Sequence, residues 1–413
     1  MGVIVSFYYF PFEFIAIPGV NTKVMLALAG IPLMGYHIAK LREPVFSKEL
    51  LIATLLAGIF SLVCYFSIDY NNSEDYAYVT YILSMWVWFS ASYVVCFLIS
   101  ILHKSLSFRL ITDYLLSVCV VQCILALLIN FIPELKIFVD THITMGITDF
   151  LNEVDRLYGV GATLDVAGVR FSAVLIMLSV LLIKSRTMNL SKLLICSYII
   201  GFFIIAVIGN MISRTTLIGL SIGLLYMFLF SGLVRLHIRL SSLRIWKLVL
   251  AVGVPLILLC IYLYNTNKEA NVLLRFGFEG FFNWVETGVW RTDSTDRLNS
   301  VMWIWPEANN YKTWLIGDAV FSNWEDVGTD IGYCRFIFYA GLSGLVAFSC
   351  YFIYVAYGLI ERFPEAKHIL SLLLILLFVN WFKVSTDIFL VFALFLSMGS
   401  PYLYKKYRKE DLI

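Results

Sequence analysis

The chain has little charge. Only 14% of its 413 residues are Asp, Glu, Lys or Arg, whereas 61% are hydrophobic. Soluble domains typically carry about a quarter charged residues. Hydrophobic runs near the ~20 residues needed to cross a bilayer recur along the whole sequence. The composition therefore predicts an all-α polytopic membrane protein and excludes a soluble enzyme or a nucleic-acid-binding domain.

Motifs for nucleotides, metals and disulfides are also lacking. No P-loop and no Rossmann glycine pattern occurs, so the sequence gives no sign of ATP or dinucleotide use. The five histidines form no cluster with Cys or Asp at metal-ligand spacing, and we expect no metal and no cofactor. The eight cysteines all fall in predicted helices or at a helix start, so no disulfide framework is implied.

Hydropathy predicts about twelve transmembrane spans within one integral membrane domain, residues 1–413. The first and sixth are short, and each is also compatible with a partial or tilted element. The predicted spans are 3–17, 21–40, 49–68, 77–102, 110–131, 170–184, 191–209, 215–233, 246–264, 332–359, 367–382 and 386–403.

The basic residues predict an orientation. Eighteen of the 30 Lys and Arg residues fall in one set of short loops that holds only seven of the 28 acids. By the positive-inside rule this side is cytoplasmic, and both termini lie there. The other side carries two long segments, an external loop at 132–169 and a larger one at 265–331. Loops of this length are usually functional or disordered.

The larger loop is rich in Trp, Phe and Tyr, so we expect it to be folded. Amphipathic helices are predicted near Leu273–Val285 and Ser294–Trp305. Its tryptophans could stack on sugar rings, although most are better explained by an interfacial belt or by the core of the loop.

Arginines recur at the predicted external ends of spans. One such residue is ordinarily an interface anchor whose charge reaches water. Several converging arginines could instead bind a pyrophosphate through bidentate contacts and stabilise its charge as it leaves. The candidates are Arg170, predicted to open the sixth span, Arg214, Arg291 and Arg297 in or beside the loops, and Arg335, predicted to open the tenth span.

Three carboxylates of the larger loop could accept a proton or orient a hydroxyl: Asp293, Asp296 and Asp330. Asp330 is the best candidate because it precedes a span and lies near Arg335 in sequence. A solvated acidic loop explains each of them about equally well. Asp75, Glu325 and Asp326 could bind a divalent ion weakly, but nothing in the sequence requires one.

These residues resemble the O-antigen polymerase and ligase family. The run Ser294 to Leu298, followed by Trp303 or Trp305 and then Leu315 to Gly317, is similar to a serine–arginine–tryptophan block of that family. Thr329 to Tyr333 with Tyr339 to Gly344 is similar to its next block. Ser213-Arg214-Thr215 and Gly168-Val169-Arg170 lie where the family has external arginines. The glycine expected before the loop arginine is Asp296 here, and the expected Gly-x-Gly is Gly317-Asp318-Ala319.

The resemblance implies a C-type membrane glycosyltransferase in the bacterial inner membrane, with its active site facing the periplasm. Its substrates would be undecaprenyl-pyrophosphate-linked glycans, polymerised by transfer of the growing glycan to the distal sugar of a new repeat unit. Arg170, Arg214 and Arg297 would bind pyrophosphate, and Asp330 would lie near the acceptor hydroxyl. Membrane lipid is a further partner, and whether a chain-length regulator protein also binds stays open.

Two other functions stay open. Family ligases typically have a histidine where this chain has Asp330, which favours the polymerase over a ligase. A transporter or flippase of lipid-linked sugars would place its site near the bilayer midplane, on broken helices and often between repeats. Here the external side holds most of the charged candidates, and no repeat is evident.

Overall fold

The computed structural model describes residues 1–144, 156–185, 187–231 and 240–407. About 75% of the chain is helical, and the one sheet among the described residues is a two-stranded antiparallel pair. The elements in chain order are α1 Gly2–Tyr9, β1 Glu13–Phe14, α2 Thr22–Ala39, α3 Lys48–Asn71, α4 Tyr81–His103, α5 Phe108–Phe131, α6 Pro133–His142, β2 Ile143–Thr144, α7 Leu164–Lys184, α8 Lys192–Ile212, α9 Thr216–Phe230, α10 Leu240–Thr266, α11 Lys268–Gly277, α12 Glu279–Thr287, α13 Asp293–Arg297, α14 Tyr311–Leu315, α15 Trp324–Val327, α16 Gly332–Arg362, α17 Lys367–Asn380, α18 Phe389–Met398 and α19 Pro401–Tyr407.

Eight of the described helices are long and apolar enough to cross a membrane, by length and composition. These are α2, α3, α4, α5, α7, α8, α10 (through Trp246–Thr266) and α16. The chain is therefore an all-α membrane-embedded protein.

The other predicted spans correspond to shorter helices. The first, 3–17, contains only the eight-residue α1 and the strand β1. The predicted spans at 215–233, 367–382 and 386–403 contain helices of 15, 14 and 10 residues. At about 1.5 Å per residue, none of these matches a 30 Å hydrocarbon core. The count of twelve spans stays a prediction.

Serines at the N-caps begin three of the long helices. The hydroxyls of Ser47, Ser107 and Ser191 each accept a hydrogen bond, 3.2 Å long, from the backbone N–H three residues later. Such a cap satisfies one of the amide groups that a helix N-terminus leaves without an intrahelical partner. The sequence therefore sets these helix starts locally.

The described residues fall into two compact units. The first comprises Met1–Lys23 and Ser107–Arg291, and the second comprises Val24–Leu106 and residues 292–407. The first unit contains α5 to α12, and α7 is its most buried span, with 89% of its apolar window inside the protein. Small residues bring α7 and α9 together, since a Cβ on Gly219 would lie 2.2 Å from Cα of Ser172. Close approach at small residues is typical of membrane helix pairs.

The second unit contains α3, α4 and α16 to α19. The Ser92 hydroxyl on α4 lies 2.6 Å from the Ser397 hydroxyl on α18, and Phe60 on α3 stacks on Phe348 of α16 with ring centroids 4.3 Å apart. Aromatic stacking and interhelical hydrogen bonds take the place of a water-driven hydrophobic core in a bilayer.

Helix α16 is broken near its first third. Ala340 and Gly341 leave the helical conformation, and Gly341 has φ +65°. The freed carbonyls of Phe338 and Tyr339 accept hydrogen bonds from the backbone N–H groups of Asp318 (2.6 Å) and Ala319 (3.1 Å). A side chain at Gly341 would meet the backbone of Leu315 at 2.3 Å. The loop after α14 therefore fills the break and satisfies its backbone groups.

The eight cysteines are free thiols, and all lie in helices, as the sequence predicted. The amphipathic helices predicted in the larger loop are present with shifted bounds: α11 and α12 cover the first, and α13 with a π-helical continuation, Leu298–Met302, covers the second.

Candidate functional site

Arg214 lies in the short connection between α8 and α9, as the sequence predicted. Its guanidinium is ion-paired with the carboxylate of Glu279, the first residue of α12, and lies 4.4 Å from the ring centroid of Phe276. Both charged side chains are only 15% exposed. A guanidinium over an aromatic face is stabilised by the ring quadrupole, and more so when it is desolvated.

Arg156, which the sequence reasoning missed, shares the same ring. Its guanidinium carbon lies 5.1 Å from the centroid of Phe276. Burial lowers the pKa of Arg156, the Asp165 carboxylate opposes this shift, and the positive charge of Arg214 adds to it. The two guanidiniums therefore repel each other across a small, partly buried cluster.

Asp165 and the hydroxyls of Ser213 and Thr215, the two residues that flank Arg214 in sequence, complete this cluster. The Asp165 carboxylate accepts hydrogen bonds from the hydroxyls of Ser213 (3.2 Å) and Thr215. Gly168 allows this contact, because a Cβ there would lie 2.5 Å from the Ser213 hydroxyl oxygen. The Gly168 and Ser213-Arg214-Thr215 motifs are thus packed against each other.

Arg170 does not open its span. Helix α7 begins at Leu164, so Arg170 lies within the second turn and is only 7% exposed. Its guanidinium lies 5.7 Å from the centroid of Phe10, and its carbonyl accepts a 2.9 Å hydrogen bond from the Tyr9 hydroxyl. The helix extends further toward its N-terminus than hydropathy predicted, because Arg170 is buried and the Asp165 carboxylate is hydrogen-bonded to Ser213 and Thr215, although both residues lower the local hydropathy. Arg170 and Arg214 thus pack on different aromatic rings.

Arg291 is exposed at the end of the first unit. Its carbonyl accepts a 2.8 Å hydrogen bond from the side-chain amide of Asn283 on α12. The contact fixes the backbone of Arg291 and leaves its side chain largely in solvent.

Asp293 and Arg297 lie at the two ends of α13 in the second unit, and both are exposed. The buried Thr292 caps this helix by accepting a 3.0 Å hydrogen bond from the backbone N–H of Thr295. The π-helical turn that follows ends at Met302, whose carbonyl accepts a 2.6 Å hydrogen bond from the Thr329 hydroxyl. The Arg297 helix is therefore anchored to the residue next to Asp330.

Asp330 and Arg335 lie together at the start of α16. Arg335 is the fourth residue of this helix, as predicted. Its guanidinium donates a hydrogen bond to the carbonyl of Phe321 and lies 4.1 Å from the centroid of the same residue's ring. It also interacts electrostatically with the carboxylates of Asp330 and Asp75.

Asp75 makes several hydrogen bonds in this region that the sequence did not predict. Its carboxylate accepts hydrogen bonds from the backbone N–H groups of Phe321 (2.7 Å) and Ser322 (2.5 Å), and from the Ser322 hydroxyl at 2.6 Å. Burial raises the pKa of Asp75, but these hydrogen bonds outweigh it and hold the pKa below its usual value. No local pattern signals this role, since the partners are about 246 residues away in sequence.

A pocket of about 320 Å³ opens beside Asp75, and Glu74, Asn323 and Asp326 also line it. Among the described residues no group of three or more His, Cys, Asp or Glu side chains is arranged to hold a metal ion.

Exposed tryptophans follow the Arg297 helix. Trp305 stacks on Trp314 with centroids 6.1 Å apart and an interplanar angle of 12°, and Trp303 lies 5.7 Å from Trp305. Trp303 and Trp305 are 36% and 44% exposed. We call these three residues the tryptophan face. A flat, exposed aromatic surface can stack on the C–H face of a sugar ring, because the ring quadrupole is negative at its face.

The seven candidate site residues predicted from the sequence are thus divided between the two units. Arg170, Arg214 and Arg291 belong to the first unit, and Asp293, Arg297, Asp330 and Arg335 belong to the second. Within the second unit the structure brings the Arg297 helix, Asp330, Arg335 and the tryptophan face into one region. Within the first, it brings Arg214 to Arg156 and leaves Arg170 on a separate ring. Each unit has arginines that could bind an anion, with carboxylates beside them, and the second adds a surface suited to stacking on a sugar.

No protein-family model matches the chain, and no curated protein and no solved structure is significantly similar to it.

Proposed function

We propose that this protein is a membrane glycosyltransferase that polymerises undecaprenyl-pyrophosphate-linked oligosaccharide repeat units into a surface polysaccharide. The proposal includes a C-type fold of about twelve spans, an inner-membrane location, cytoplasmic termini and a periplasmic active site. It is supported above all by the second unit, where a tryptophan face suited to a sugar adjoins Arg297, Asp330 and Arg335.

The reaction joins an acceptor hydroxyl to the anomeric carbon of the donor glycan. The hydroxyl oxygen attacks that carbon, its proton passes to Asp330, and the bond to the pyrophosphate oxygen breaks with the electron pair going to the leaving group. Asp330 acts as a general base or orienting group. Arg297 and Arg335 stabilise the negative charge that develops on the pyrophosphate, and Asp293 orients the acceptor. Breaking this bond drives the reaction, so no nucleotide is consumed.

Both substrates of a polymerase carry a pyrophosphate, and the reaction therefore needs two anion-binding sites. The second unit supplies Arg297 and Arg335. The first unit supplies Arg214 and Arg156 on one aromatic ring, with Arg170 and Arg291 as further cations. A ligase, which transfers the glycan to a lipid without a pyrophosphate, needs only one such site.

The test uses purified protein in detergent with an undecaprenyl-pyrophosphate-linked repeat unit and no added nucleotide. A ladder of products on a gel is expected from the wild type and from the control Glu307→Gln, which changes an exposed residue near the tryptophan face. Arg297→Ala and Asp330→Asn should abolish the ladder. A full ladder from both variants would contradict the assignment, and transfer to a lipid A acceptor instead would indicate a ligase.

One observation favours a second candidate, a flippase for lipid-linked sugars. Transporters place binding sites at broken membrane helices, and α16 is broken at Ala340–Gly341. The backbone groups at this break are hydrogen-bonded to Asp318 and Ala319, which favours a structural break over an ion site. Movement of a fluorescent lipid-linked sugar across proteoliposomes, without polymer formation, would support the flippase.

A further inference from the structure

The Arg214 site contains its own anion. The Glu279 carboxylate is ion-paired with Arg214, and both side chains are largely buried. A carboxylate in this position presents two oxygens to a guanidinium, much as a phosphate does. Any phosphate-type ligand of Arg214 must therefore replace Glu279 or share the guanidinium with it.

Arg156 adds a second positive charge to the Arg214–Glu279 ion pair. Its guanidinium lies on the same Phe276 ring as Arg214, at 5.1 Å against 4.4 Å. The two like charges repel each other, Glu279 is ion-paired with Arg214, and the Asp165 carboxylate acts on Arg156 electrostatically. A pyrophosphate has more negative charge and more oxygen atoms than a carboxylate, so it can engage both guanidiniums at once with bidentate contacts.

The carboxylate belongs to a short, largely exposed helix. Glu279 is the first residue of α12, which together with α11 follows the span α10. Only Gly280 is buried along α12, and Phe281 and Trp284 are 48% and 52% exposed. The rest of α12 has contacts of its own, since Phe282 stacks on Tyr264 with ring centroids 4.7 Å apart and Glu286 is ion-paired with Arg275. The Glu279–Arg214 ion pair and the Asn210 amide, which donates to the Gly277 carbonyl, fix the end of α11 and the start of α12 against α8 and α9.

We propose that Glu279 is a built-in competitor for a phosphate-type anion at Arg156 and Arg214, so that binding of the anion releases the start of α12. The identification of the anion with the pyrophosphate of a lipid carrier rests on the proposed function. The same chemistry is offered by the headgroup of an anionic phospholipid.

The experiment measures the binding of inorganic pyrophosphate to the full-length protein in neutral detergent. Glu279→Gln removes the competing charge and should raise the affinity about tenfold, which corresponds to the loss of about 1.4 kcal/mol of competition. Arg214→Gln and Arg156→Gln should each weaken binding at least about tenfold. The matched control is Glu286→Gln, which breaks the exposed ion pair with Arg275 on the same two helices and should leave the affinity unchanged.

Release of α12 gives a second readout. Hydrogen exchange of residues 279–287 should speed up when pyrophosphate is added to the wild type, and should already be fast in Glu279→Gln. If Glu279→Gln does not fold, Glu279→Asp keeps the charge on a side chain one methylene shorter, and it should give smaller changes in the same directions.

Affinity in Glu279→Gln equal to or below that of the wild type would overturn the proposal, as would slower exchange of α12 on addition of pyrophosphate. Competition with phosphatidylglycerol distinguishes the two sources of the anion, a phospholipid headgroup and a pyrophosphate. Displacement of pyrophosphate by this lipid assigns the site to a headgroup, and the absence of displacement assigns it to a soluble or carrier pyrophosphate. Because no glycan is used, tighter binding in Glu279→Gln together with no product ladder would keep this inference and refute the proposed polymerase.

Discussion

Two arginines of this protein lie on aromatic rings, and their surroundings differ. Arg214 in the first unit is 4.4 Å from the Phe276 centroid and is ion-paired with the buried Glu279. Arg335 in the second unit is 4.1 Å from the Phe321 centroid and donates to a neutral carbonyl, while the carboxylates of Asp75 and Asp330 act on it electrostatically. The first guanidinium is directly ion-paired with a carboxylate, and the second is held by a ring and a carbonyl.

The two arginines illustrate two roles, one in a structural ion pair and one available to an anion. An ion pair in a partly buried site is costly to break at one partner only, because the other charge is left without compensation. A guanidinium held by a ring and a carbonyl can take an anion while it keeps both contacts. Substitution of Arg214 in the first unit should therefore cost more stability than substitution of the second unit's arginines. Substitution of the second unit's arginines should cost more activity.

The largest effect on stability is expected for Arg214→Gln. It leaves Glu279 as an uncompensated, largely buried charge, so the free energy of unfolding should fall by about 3 kcal/mol. Thermal unfolding in detergent measures this. The double variant Arg214→Gln/Glu279→Gln should recover at least half of the loss. No recovery would show that the ion pair is not what holds the two groups.

Arg335→Gln should have a smaller effect, about 1–2 kcal/mol, because it removes a cation–π contact and a hydrogen bond to a neutral carbonyl. The same unfolding measurement applies. A loss as large as that of Arg214→Gln would remove the contrast between the two arginines.

Asp75→Asn should destabilise the protein by about 1 kcal/mol, since a neutral amide accepts the hydrogen bonds of Phe321 and Ser322 less strongly, and partial exposure weakens the charge effect. The folded pKa of Asp75 is lowered. Its contribution is therefore fully present above the unfolded value of about 3.9 and is lost as the pH falls through the folded pKa.

Melting temperatures of the wild type and Asp75→Asn across the pH range below neutral provide the check. The difference between them should be constant from neutral pH down to about pH 4 and should shrink in more acidic solution. A difference that grows on acidification would contradict the assigned direction of the shift.

The smallest effect on stability is expected for Arg297→Gln. Arg297 is exposed at the end of α13, and surface substitutions of this kind usually change the free energy of unfolding by less than about 0.5 kcal/mol. Its expected effect on glycan transfer is nevertheless large. A substantial loss of stability would assign Arg297 to the structure instead of the chemistry.

Local patterns predicted the long apolar helices, the position of Arg214 between two helices and the position of Arg335 at the start of α16. Each depends on hydropathy or on a polar interruption that can be read within about twenty residues. The short helices α1, α17 and α18 could not be separated from spans in this way, because apolar composition does not show where a buried segment stops being helical.

Other features depend on contacts between distant residues. Arg156 and Arg214 meet on Phe276, and Asp75 meets Ser322, only after the chain has folded, so no spacing signals either contact. The N-terminal extension of α7 past Arg170 depends on burial of polar side chains, which hydropathy counts against a span. The break in α16 did leave a signal, since Gly341 stands in the motif Tyr339 to Gly344, and only glycine readily adopts its positive φ.

The rate of glycan polymerisation is the most direct test of the proposed function. Purified wild type, Arg297→Gln and the control Glu307→Gln, at equal concentrations of folded protein, are given one undecaprenyl-pyrophosphate-linked repeat unit, and release of undecaprenyl pyrophosphate is followed with time. We predict equal rates for the wild type and Glu307→Gln, and a rate at least about a hundredfold lower for Arg297→Gln, as expected on removing a group that stabilises charge in the transition state. Equal rates for all three, or no release by the wild type with its correct repeat unit, would show that the protein is not this polymerase.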